Sequence, residues 1–350
     1  MSQKIKIATY NCENLFSRSR IFKEDDPKAR KLLEAVEKLE EELKKPVFDQ
    51  AEISSLKAQL KGYATIIDVR EKHTKKGTGS KNWVGWIEFE MEPADTKSVR
   101  NLAKVISEID ADIICLIEVE NRTLLQRFHD EILYRDFLKP IGKLPYKHIM
   151  LIDGNDPRGI DVSLMSRHPI MNMKSYIDDT TDYLGKTVKT FSRDCLHIQL
   201  DIKAVKPLNI FINHLKSQGY SGGQDPGGDI RRKGQAKRVA EIINELDLKN
   251  DYIIVAGDMN SDHSSDSLAP LIMNDELHNL NLMLPENERG TYGTGKEQLD
   301  YLIVTEPLKA RCRNLQINRS GIYTKPGVGG ISNITEAASD HAAVVAEFDF

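Results

Sequence analysis

The stretch Ile-Ile-Val-Ala-Gly-Asp-Met-Asn-Ser-Asp, residues 253–262, carries the strongest structural signal in the chain. A continuous apolar run breaks at Gly257 and is followed by Asp258 and Asn260. Because alternate side chains of a strand share a face, this carboxylate and amide can point at one spot beyond the strand's end. The stretch predicts a buried strand leading into a hydrolytic site, although a lone Asp-x-Asn is also typical of a solvated loop.

Polar side chains follow apolar runs at five further places in the chain. They are Asn11, Glu118, Asn213 with His214, Asp300, and Asp340 with His341. Strand ends are often polar because the loops after them are solvated. A set restricted to Asn, Glu, His and Asp nevertheless favours one active site at which several strand ends meet.

The composition is that of an ordinary folded protein without a cationic coat. With 350 residues, 40% of them apolar, the chain can bury a large core, as one domain or as a domain with an insertion. Because the net charge is -4, contact with nucleic acid would rest on local patches and metal ions. We expect a cytoplasmic protein, since no apolar signal segment begins the sequence and no run of about 18 apolar residues could span a membrane.

The four cysteines are expected to be buried free thiols in a reducing compartment. Three of them lie in strand-like apolar contexts, and all are widely spaced: Cys12, Cys115, Cys195 and Cys312. This spacing fits neither a disulfide framework nor a zinc site.

Residues 17–95 differ in character from the rest of the chain. Residues 29–45 repeat apolar side chains at three- and four-residue steps, which is typical of an amphipathic helix. Asp49, with Glu52 three residues on, predicts the start of a second helix. The pattern predicts an antiparallel helical hairpin over about 29–69 and a short strand or ribbon near 83–90. Dimerisation, docking of a partner and covering of the substrate groove all remain open roles for it.

A regular pattern resumes at about residue 96. Strands outnumber helices and are joined by both hairpin-like and helical connections, which indicates an α+β fold with a sheet sandwich and outer helices. Helices are predicted at 99–109, 122–137 and 233–248. Strands are predicted at 4–10, 112–119, 160–166, 196–202, 208–213, 252–256, 299–304 and 342–348.

Seven short motifs follow one another along the chain. They are Thr-Tyr-Asn-Cys-Glu-Asn-Leu-Phe (9–16), Ile-Glu-Val-Glu-Asn (117–121), Arg-Gly-Ile-Asp-Val (158–162), Asn-His-Leu-Lys-Ser (213–217), Gly-Asp-Met-Asn (257–260), Leu-Asp-Tyr (299–301) and Ser-Asp-His (339–341). Together they resemble the endonuclease/exonuclease/phosphatase superfamily, and they are most similar to its bacterial nuclease-type branch. The resemblance implies a DNase I-like four-layer sandwich, two packed mixed β-sheets flanked by helices. It covers residues 1–16 and 96–350, which leaves 17–95 as an insertion into the catalytic domain.

Phosphodiester hydrolysis needs a hard cation, an activated water and help for the leaving oxyanion. Glu118 is the best candidate for a metal ligand, and Asn11 and Asp340 would complete an oxygen-rich site for Mg²⁺ or Mn²⁺. Glu13 would either join them or bind the backbone. Zinc fits less well, because the candidate ligands are oxygens.

Proton transfer and phosphate binding are assigned to a second group of residues. Asp258 and Asn260 would orient or deprotonate the attacking water and hold the scissile phosphate. His214 and His341 are candidates for proton transfer, because imidazole titrates near neutrality. The resemblance implies that Asp300 pairs with His341, which would orient the ring and favour its charged form. The sequence does not decide which group is the general base.

Cationic residues are the candidates for substrate binding. The resemblance places Arg158 and Arg193 where relatives bring cations to phosphate, although each could form an ordinary salt bridge instead. Asn213 and Lys216 flank His214 and could also face phosphate. The basic cluster at 230–238, together with the Gly-rich loop at 219–228, is either a substrate-side flap or a solvated helix face. Asp161 is expected to tie down a neighbouring loop.

Three functions compete at this point. The leading one is a divalent-metal-dependent nuclease, in particular an endonuclease, that cuts DNA by in-line attack of water on phosphate. The second is a phosphatase or phosphodiesterase for a small molecule or lipid headgroup, because a fold does not fix a substrate. The third is a non-catalytic binding module in which the hairpin at about 29–69 binds a protein partner or a second copy. The full set of acid–base residues argues against the third.

Overall fold

The computed structural model describes residues 3–16, 19–68, 83–91, 96–219, 223–323 and 331–350. Contacts between Cα atoms divide the chain into two units. The main unit comprises Met1–Phe16 and Asp95–Phe350, and the inserted unit comprises Ser17–Ala94. None of the helices in the described ranges is long and apolar enough to cross a membrane.

The described strands are as follows: β1 Lys4–Leu15, β2 Ala64–Asp68, β3 Gly85–Phe89, β4 Ile113–Val119, β5 His148–Leu151, β6 Asp161–Ser166, β7 Ile170–Lys174, β8 Thr180–Tyr183, β9 Lys186–Lys189, β10 Cys195–Leu200, β11 Leu208–His214, β12 Tyr252–Asp258, β13 Leu277–Asn279, β14 Asp300–Thr305, β15 Cys312–Asn318 and β16 Ala343–Asp349. The α-helices are α1 Asp26–Lys44, α2 Gln50–Gln59, α3 Lys97–Ile109, α4 Arg122–Arg127, α5 Asp229–Ile243, α6 Ala269–Ile272 and α7 Glu306–Lys309. A π-helix, Phe128–Leu138, continues α4 directly.

Two six-stranded mixed sheets form the main unit. Their strand orders are β15-β16-β1-β4-β6-β5 and β13-β14-β12-β11-β10-β7. The inner faces of both sheets contribute to one buried apolar cluster, in which Ile113 of the first sheet and Ile254 of the second are fully buried. The outer face of the second sheet packs against α5 through side chains such as Phe211 and Val239. The predicted α+β class with two mixed sheets is therefore confirmed.

The pairing of the strands gathers the predicted polar side chains at one end of the sandwich. Strands β11 and β12 run parallel, with His214 opposite Asp258. Strands β12 and β14 run antiparallel, with Asp258 opposite Asp300. In the first sheet, the parallel pair β1 and β4 places Asn11 opposite Ile117. Polar residues that are far apart in sequence thus lie at the same end of the sandwich, because neighbouring parallel strands have their carboxyl ends on the same side.

Gly257 allows the parallel strands β11 and β12 to stay close beside the site. Its φ angle is +127°, and a Cβ atom added there would lie 1.9 Å from the carbonyl oxygen of Asn213. Only glycine fits this approach without moving the backbone. The pairing that sets His214 beside Asp258 therefore depends on this glycine.

The inserted unit has a small apolar core of its own, built from α1, α2 and strand β2. Asp25 caps α1 through a hydrogen bond from Lys28 N, and Asp49 caps α2 through the backbone N–H groups of Ala51 and Glu52. Both caps satisfy the N–H groups that a helix start leaves without partners.

The helical hairpin predicted over about 29–69 extends only to Gln59 in the structure, and the helix predicted beyond that residue is wrong. Helix α2 ends at Gln59, and Ala64–Asp68 forms strand β2, which pairs with β3 and sets Ile66 opposite Ile87. The run Thr65-Ile66-Ile67 is β-branched, and such side chains pack well on a pleated sheet.

All four cysteines are buried and free, as predicted. Burial raises the pKa of the Cys12 and Cys115 thiols. These side chains therefore act as small apolar residues in the fold rather than as ligands or nucleophiles.

Candidate active site

Asp258 lies at the centre of the site and is almost fully buried. Its Oδ1 atom accepts a hydrogen bond from the backbone N–H of Asn260 at 2.8 Å. Its Oδ2 atom accepts one from Asn11 Nδ2 at 3.2 Å. Since Asn11 belongs to the first sheet and Asp258 to the second, this hydrogen bond joins the two sheets at the site.

Two histidines flank Asp258 Oδ2. His214 Nε2 lies 3.6 Å from this oxygen, and His341 Nε2 lies 3.9 Å from it. His341 Nδ1 is 2.7 Å from Asp300 Oδ2, a buried hydrogen bond that fixes the ring. His214 Nε2 also faces Glu118 Oε1 at 3.9 Å. Each ring therefore turns its Nε2 atom towards the same carboxylate.

The two rings differ in charge because their surroundings differ. Burial disfavours the charged form of His341, but the adjacent Asp300 outweighs it and raises the pKa of His341 to about 10. For His214, burial lowers the pKa, and the positive charges of Arg193 and His341 lower it further. Near neutral pH the site therefore holds one imidazolium and one neutral imidazole.

Three further carboxylates face the same cavity, namely Glu13, Glu118 and Asp340. Burial raises the pKa of all three, and repulsion from Asp340 and Glu118 helps to raise that of Glu13 to about 7. Glu13 and Glu118 also adopt left-handed φ angles of +48° and +65°. Non-glycine residues rarely hold such angles, and when they do they are often functional.

This carboxylate group fits a hard divalent cation. Its members are oxygen donors, Asp340 raises the pKa of both Glu13 and Glu118, and a bound cation would relieve that repulsion. A second cluster, in which donor atoms of Asp258, Asp300 and His341 lie within 4.8 Å of one another, fits less well. There Asp300 is hydrogen-bonded to His341 Nδ1 and raises the pKa of His341, which favours the charged ring, and a charged ring has no lone pair for a metal. The first group therefore suits a hard divalent cation better than the second does.

The cavity has a volume of about 450 Å³. It is lined by Glu13, Glu118, Arg158, Ile160, Arg193, His214, Ser217, Gln218, Gly219, Asp258, Asn260, Tyr292, Glu297, Leu299, Asp340 and His341. Carboxylates, imidazoles and two guanidinium groups thus share one open space large enough for a phosphoester.

Two predicted phosphate contacts, Asn213 and Lys216, do not line this cavity. Asn213 is fully buried, and its Nδ2 atom donates to the carbonyl oxygen of Phe211 at 3.1 Å. Lys216 Nζ donates to the carbonyl oxygens of Ser217 and Gly219 at 2.9 and 2.7 Å. Both side chains therefore bind nearby carbonyl groups in this structure rather than lining the cavity.

Asn11 is also held by protein partners. Besides donating to Asp258, its Oδ1 atom accepts a hydrogen bond from the backbone N–H of Glu13 at 3.0 Å. Asn260 does line the cavity, with a left-handed φ of +51°. Its Nδ2 atom donates to the carbonyl oxygen of Leu215 at 3.2 Å.

Asp161 and the basic cluster support the surrounding loops. Asp161 Oδ1 accepts a hydrogen bond from Gly154 N at 2.9 Å, as expected for a residue that ties down a loop. Within the cluster, Arg232 is buried and donates to the carbonyl oxygen of Lys216 at 2.6 Å. Residues 220–222 of the predicted flap lie outside the described residues.

The sequence-based reasoning missed Thr291 and Tyr292. Thr291 Oγ1 accepts from the backbone N–H of Asp300 at 3.0 Å, and Thr291 O accepts from Ala342 N at 2.6 Å. It thereby joins the strand starts that carry Asp300 and His341. The ring of Tyr292 lies 4.9 Å from that of His341 at the cavity wall. An apolar run does not precede either residue, so the pattern that marked the other site residues was absent.

Comparison with known proteins identifies the family of this chain. A sequence profile of the Endonuclease/Exonuclease/phosphatase family matches residues 90–341. The chain belongs to this family. Its members hydrolyse phosphoester bonds and generally depend on a divalent metal ion, so this chain is a phosphoester hydrolase of the same family. The resemblance inferred from the motifs is confirmed.

Solved structures of this family share the fold. An endonuclease/exonuclease/phosphatase family protein from Bacteroides thetaiotaomicron superposes with a TM-score of 0.55 at 13% identity, covering 100% of this chain and 99% of its own. A humanized TDP2 from D. rerio gives 0.51 at 14% identity, covering 99% of each chain. A family member from Beutenbergia cavernae gives 0.52 at 14% identity, covering 99% of this chain and 71% of its own. No curated protein matches the sequence significantly.

Proposed function

We propose that this phosphodiester hydrolase is a divalent-metal-dependent endonuclease that cuts DNA. The observation that carries the proposal is the position of Asp258 Oδ2, 3.6 Å from His214 Nε2 and 3.9 Å from His341 Nε2. A carboxylate between two imidazoles, beside a group of oxygen ligands, provides the acid, the base and the cation site for in-line attack of water on phosphate.

The charge states assign the proton transfers. Burial raises the pKa of Asp258 to about 7. Asp258 accepts a proton from the attacking water while the oxygen of that water forms its bond to phosphorus. His341, held as an imidazolium by Asp300, gives its Nε2 proton to the leaving oxygen as the P–O bond breaks. His214 is neutral and donates an Nε2–H hydrogen bond to a non-bridging phosphate oxygen. Asn260 keeps the Asp258 carboxylate in place through its backbone N–H.

The cation would be held by Glu118, Glu13 and Asp340. When bound, it supplies positive charge to a phosphate oxygen and to the oxyanion that leaves. Asn11 holds two neighbours of this site in place. Its Oδ1 atom accepts a hydrogen bond from the backbone N–H of Glu13, and its Nδ2 atom donates to the Asp258 carboxylate.

Arg158 and Arg193 are proposed to hold the phosphate that is cut or its neighbour. Guanidinium groups bind phosphate oxygens in pairs, and both side chains line the cavity. DNA offers phosphates on either side of the one that is attacked, which suits a site with two arginines.

A small-molecule or lipid phosphoester is the second candidate. It is favoured by the pairing of the basic cluster, in which Lys233 lies 2.6 Å from Asp266 and Arg238 lies 2.6 Å from Asp179. A cation that already forms a salt bridge attracts the phosphates of a long DNA duplex less strongly than an unpaired cation does. We also propose that catalysis resides in 1–16 and 96–350, and that the inserted unit binds a protein partner or a second copy of the chain.

Dependence on salt separates the two substrates. We expect the KM for plasmid DNA to rise steeply with salt, because several phosphates must be neutralised at once. The KM for bis(p-nitrophenyl) phosphate, a small diester, should change little in the same series. DNA cleavage with a flat salt response, or slower cleavage of DNA than of the small diester, would favour the second candidate.

A further inference from the structure

Asp156 lies between the two arginines of the cavity. Its Oδ1 atom accepts from Arg158 Nε at 2.9 Å, and its Oδ2 atom accepts from an Arg158 terminal nitrogen at 2.8 Å. The same Oδ2 atom lies 3.1 Å from Arg193 Nε. The Asp156 side chain is 7% exposed and Arg193 is 3% exposed, so this ion pair is largely shielded from water, whereas the Arg158 side chain is 52% exposed.

The loop that carries Asp156 is fixed against the turn before β10, which carries Arg193. The backbone N–H of Asn155 donates to the carbonyl oxygen of Arg193 at 3.1 Å. A Cβ atom added at Gly154 would lie 2.6 Å from Asp161 Oδ1 and 3.0 Å from the carbonyl carbon of Arg193, so any other residue would have to displace its neighbours. Asp156 Oδ1 also accepts from the backbone N–H of Arg158 at 3.1 Å, which orients the turn.

Arg193 lies at the wall of the same cavity as Arg158. Its Nε–H is buried and makes no hydrogen bond among the described residues, although Asp156 Oδ2 lies 3.1 Å away. A terminal nitrogen of Arg193 donates to the carbonyl oxygen of Leu215 at 3.3 Å. A guanidinium group at a cavity wall can bind a phosphate oxygen through its N–H groups.

We infer that Asp156 is a positioning residue that holds Arg158 and Arg193 together as a double-arginine site for a substrate phosphate. The inference rests on the proposed phosphodiesterase function, although not on DNA as the substrate. Asp156 itself has both oxygens engaged by arginine, so it acts through these side chains and does not touch the phosphate.

The test is Asp156→Asn, which keeps the shape of the side chain and removes its charge. With bis(p-nitrophenyl) phosphate and with plasmid DNA we expect KM to rise about tenfold, because charge-assisted hydrogen bonds to phosphate lose their alignment. We expect kcat to stay within about twofold, since the groups that transfer protons are untouched. Asp156→Glu should recover part of the loss. Asp153→Asn, an exposed carboxylate in the same loop, is the matched control and should leave both constants unchanged.

A double-mutant cycle with Arg158→Ala separates positioning from mere stability. In the Arg158→Ala background, Asp156→Asn should raise KM by less than about threefold, because one of its two partners is already gone. Unchanged KM in a folded Asp156→Asn variant, or a loss confined to kcat, would overturn the inference. If that variant does not fold, Arg158→Lys serves instead, and an unchanged KM there overturns the inference equally. Failure of the wild type to cut DNA, with hydrolysis of the small diester intact, would refute only the endonuclease.

Discussion

His341 Nδ1 lies 2.7 Å from Asp300 Oδ2, with both side chains buried. This hydrogen bond fixes the tilt of the ring and holds it as an imidazolium, with its opposite nitrogen 3.9 Å from Asp258 Oδ2. The strand register that sets Asp300 opposite Asp258 makes the arrangement possible.

Asp300→Asn tests this relationship. The substitution preserves size but removes the charge that raises the pKa of His341, so the ring loses its proton and its fixed orientation. We expect kcat to fall on the order of a thousandfold, by analogy with the loss of a carboxylate that orients a catalytic histidine. Asp266→Asn, at an exposed carboxylate, is the control. A kcat within a few-fold of wild type, measured on plasmid nicking, would argue against the role of the pair.

Glu118→Gln tests the cation site. The amide keeps one oxygen but removes a negative charge, so we expect the Mg²⁺ concentration for half-maximal activity to rise at least about tenfold. Direct titration of Mn²⁺ binding, followed by calorimetry, should show the same weakening without reference to turnover. Glu276→Gln, on the surface, should leave both values unchanged. Equal Mn²⁺ affinity in Glu118→Gln and wild type would place the cation elsewhere.

The site residues that lie at the ends of buried strands could be predicted from the sequence. Asp258, Asn260, His214 and His341 follow or precede long apolar runs, and the structure brings them together with Asp300. Parallel strands that are buried on both faces have continuous apolar sequences, because neither face contacts water. The apolar pattern identifies each strand and its end. The family motifs show that the site residues occur along the chain in the order found in that family.

Loop and side-chain geometry could not be read in the same way. Asp156 and Tyr292 lie in turns, and each has a partner far away in sequence, Arg193 for Asp156 and His341 for Tyr292. The direction of Lys216 depends on carbonyl groups that only the folded loop places nearby. Strands β8 and β9 are short, largely exposed and polar, so they show no clear alternation.

His129 predicts a pH dependence of stability away from the site. Its Nε2 atom accepts a hydrogen bond from Tyr146 N at 3.0 Å, and burial lowers its pKa below the usual 6.5. As the pH falls below 6.5, the ring binds a proton in the unfolded protein but not in the folded protein, so the free energy of unfolding decreases. The slope for one such proton approaches about 1.4 kcal/mol per pH unit. Urea unfolding of His129→Gln should show a weaker pH dependence than wild type, and identical slopes would contradict the assignment.

The inserted unit is best tested by removing all of Ser17–Ala94, since its core is built from its own helices and strand. A flexible linker would replace it. If the unit binds a partner or a second copy, we expect the deletion to change the oligomeric state or the cleavage pattern while the main unit stays folded. An unchanged sedimentation behaviour, corrected for mass, together with an unchanged pattern of cuts would contradict this role.

The central claim is tested most directly by incubating the purified protein with supercoiled plasmid in Mg²⁺, in Mn²⁺ and in chelator, beside His214→Ala. Our account predicts nicking that needs the cation and falls by at least about a hundredfold in the variant. Absence of cleavage by the wild type under every condition would contradict a DNA endonuclease. Cleavage that survives in chelator, or that His214→Ala retains in full, would contradict the mechanism.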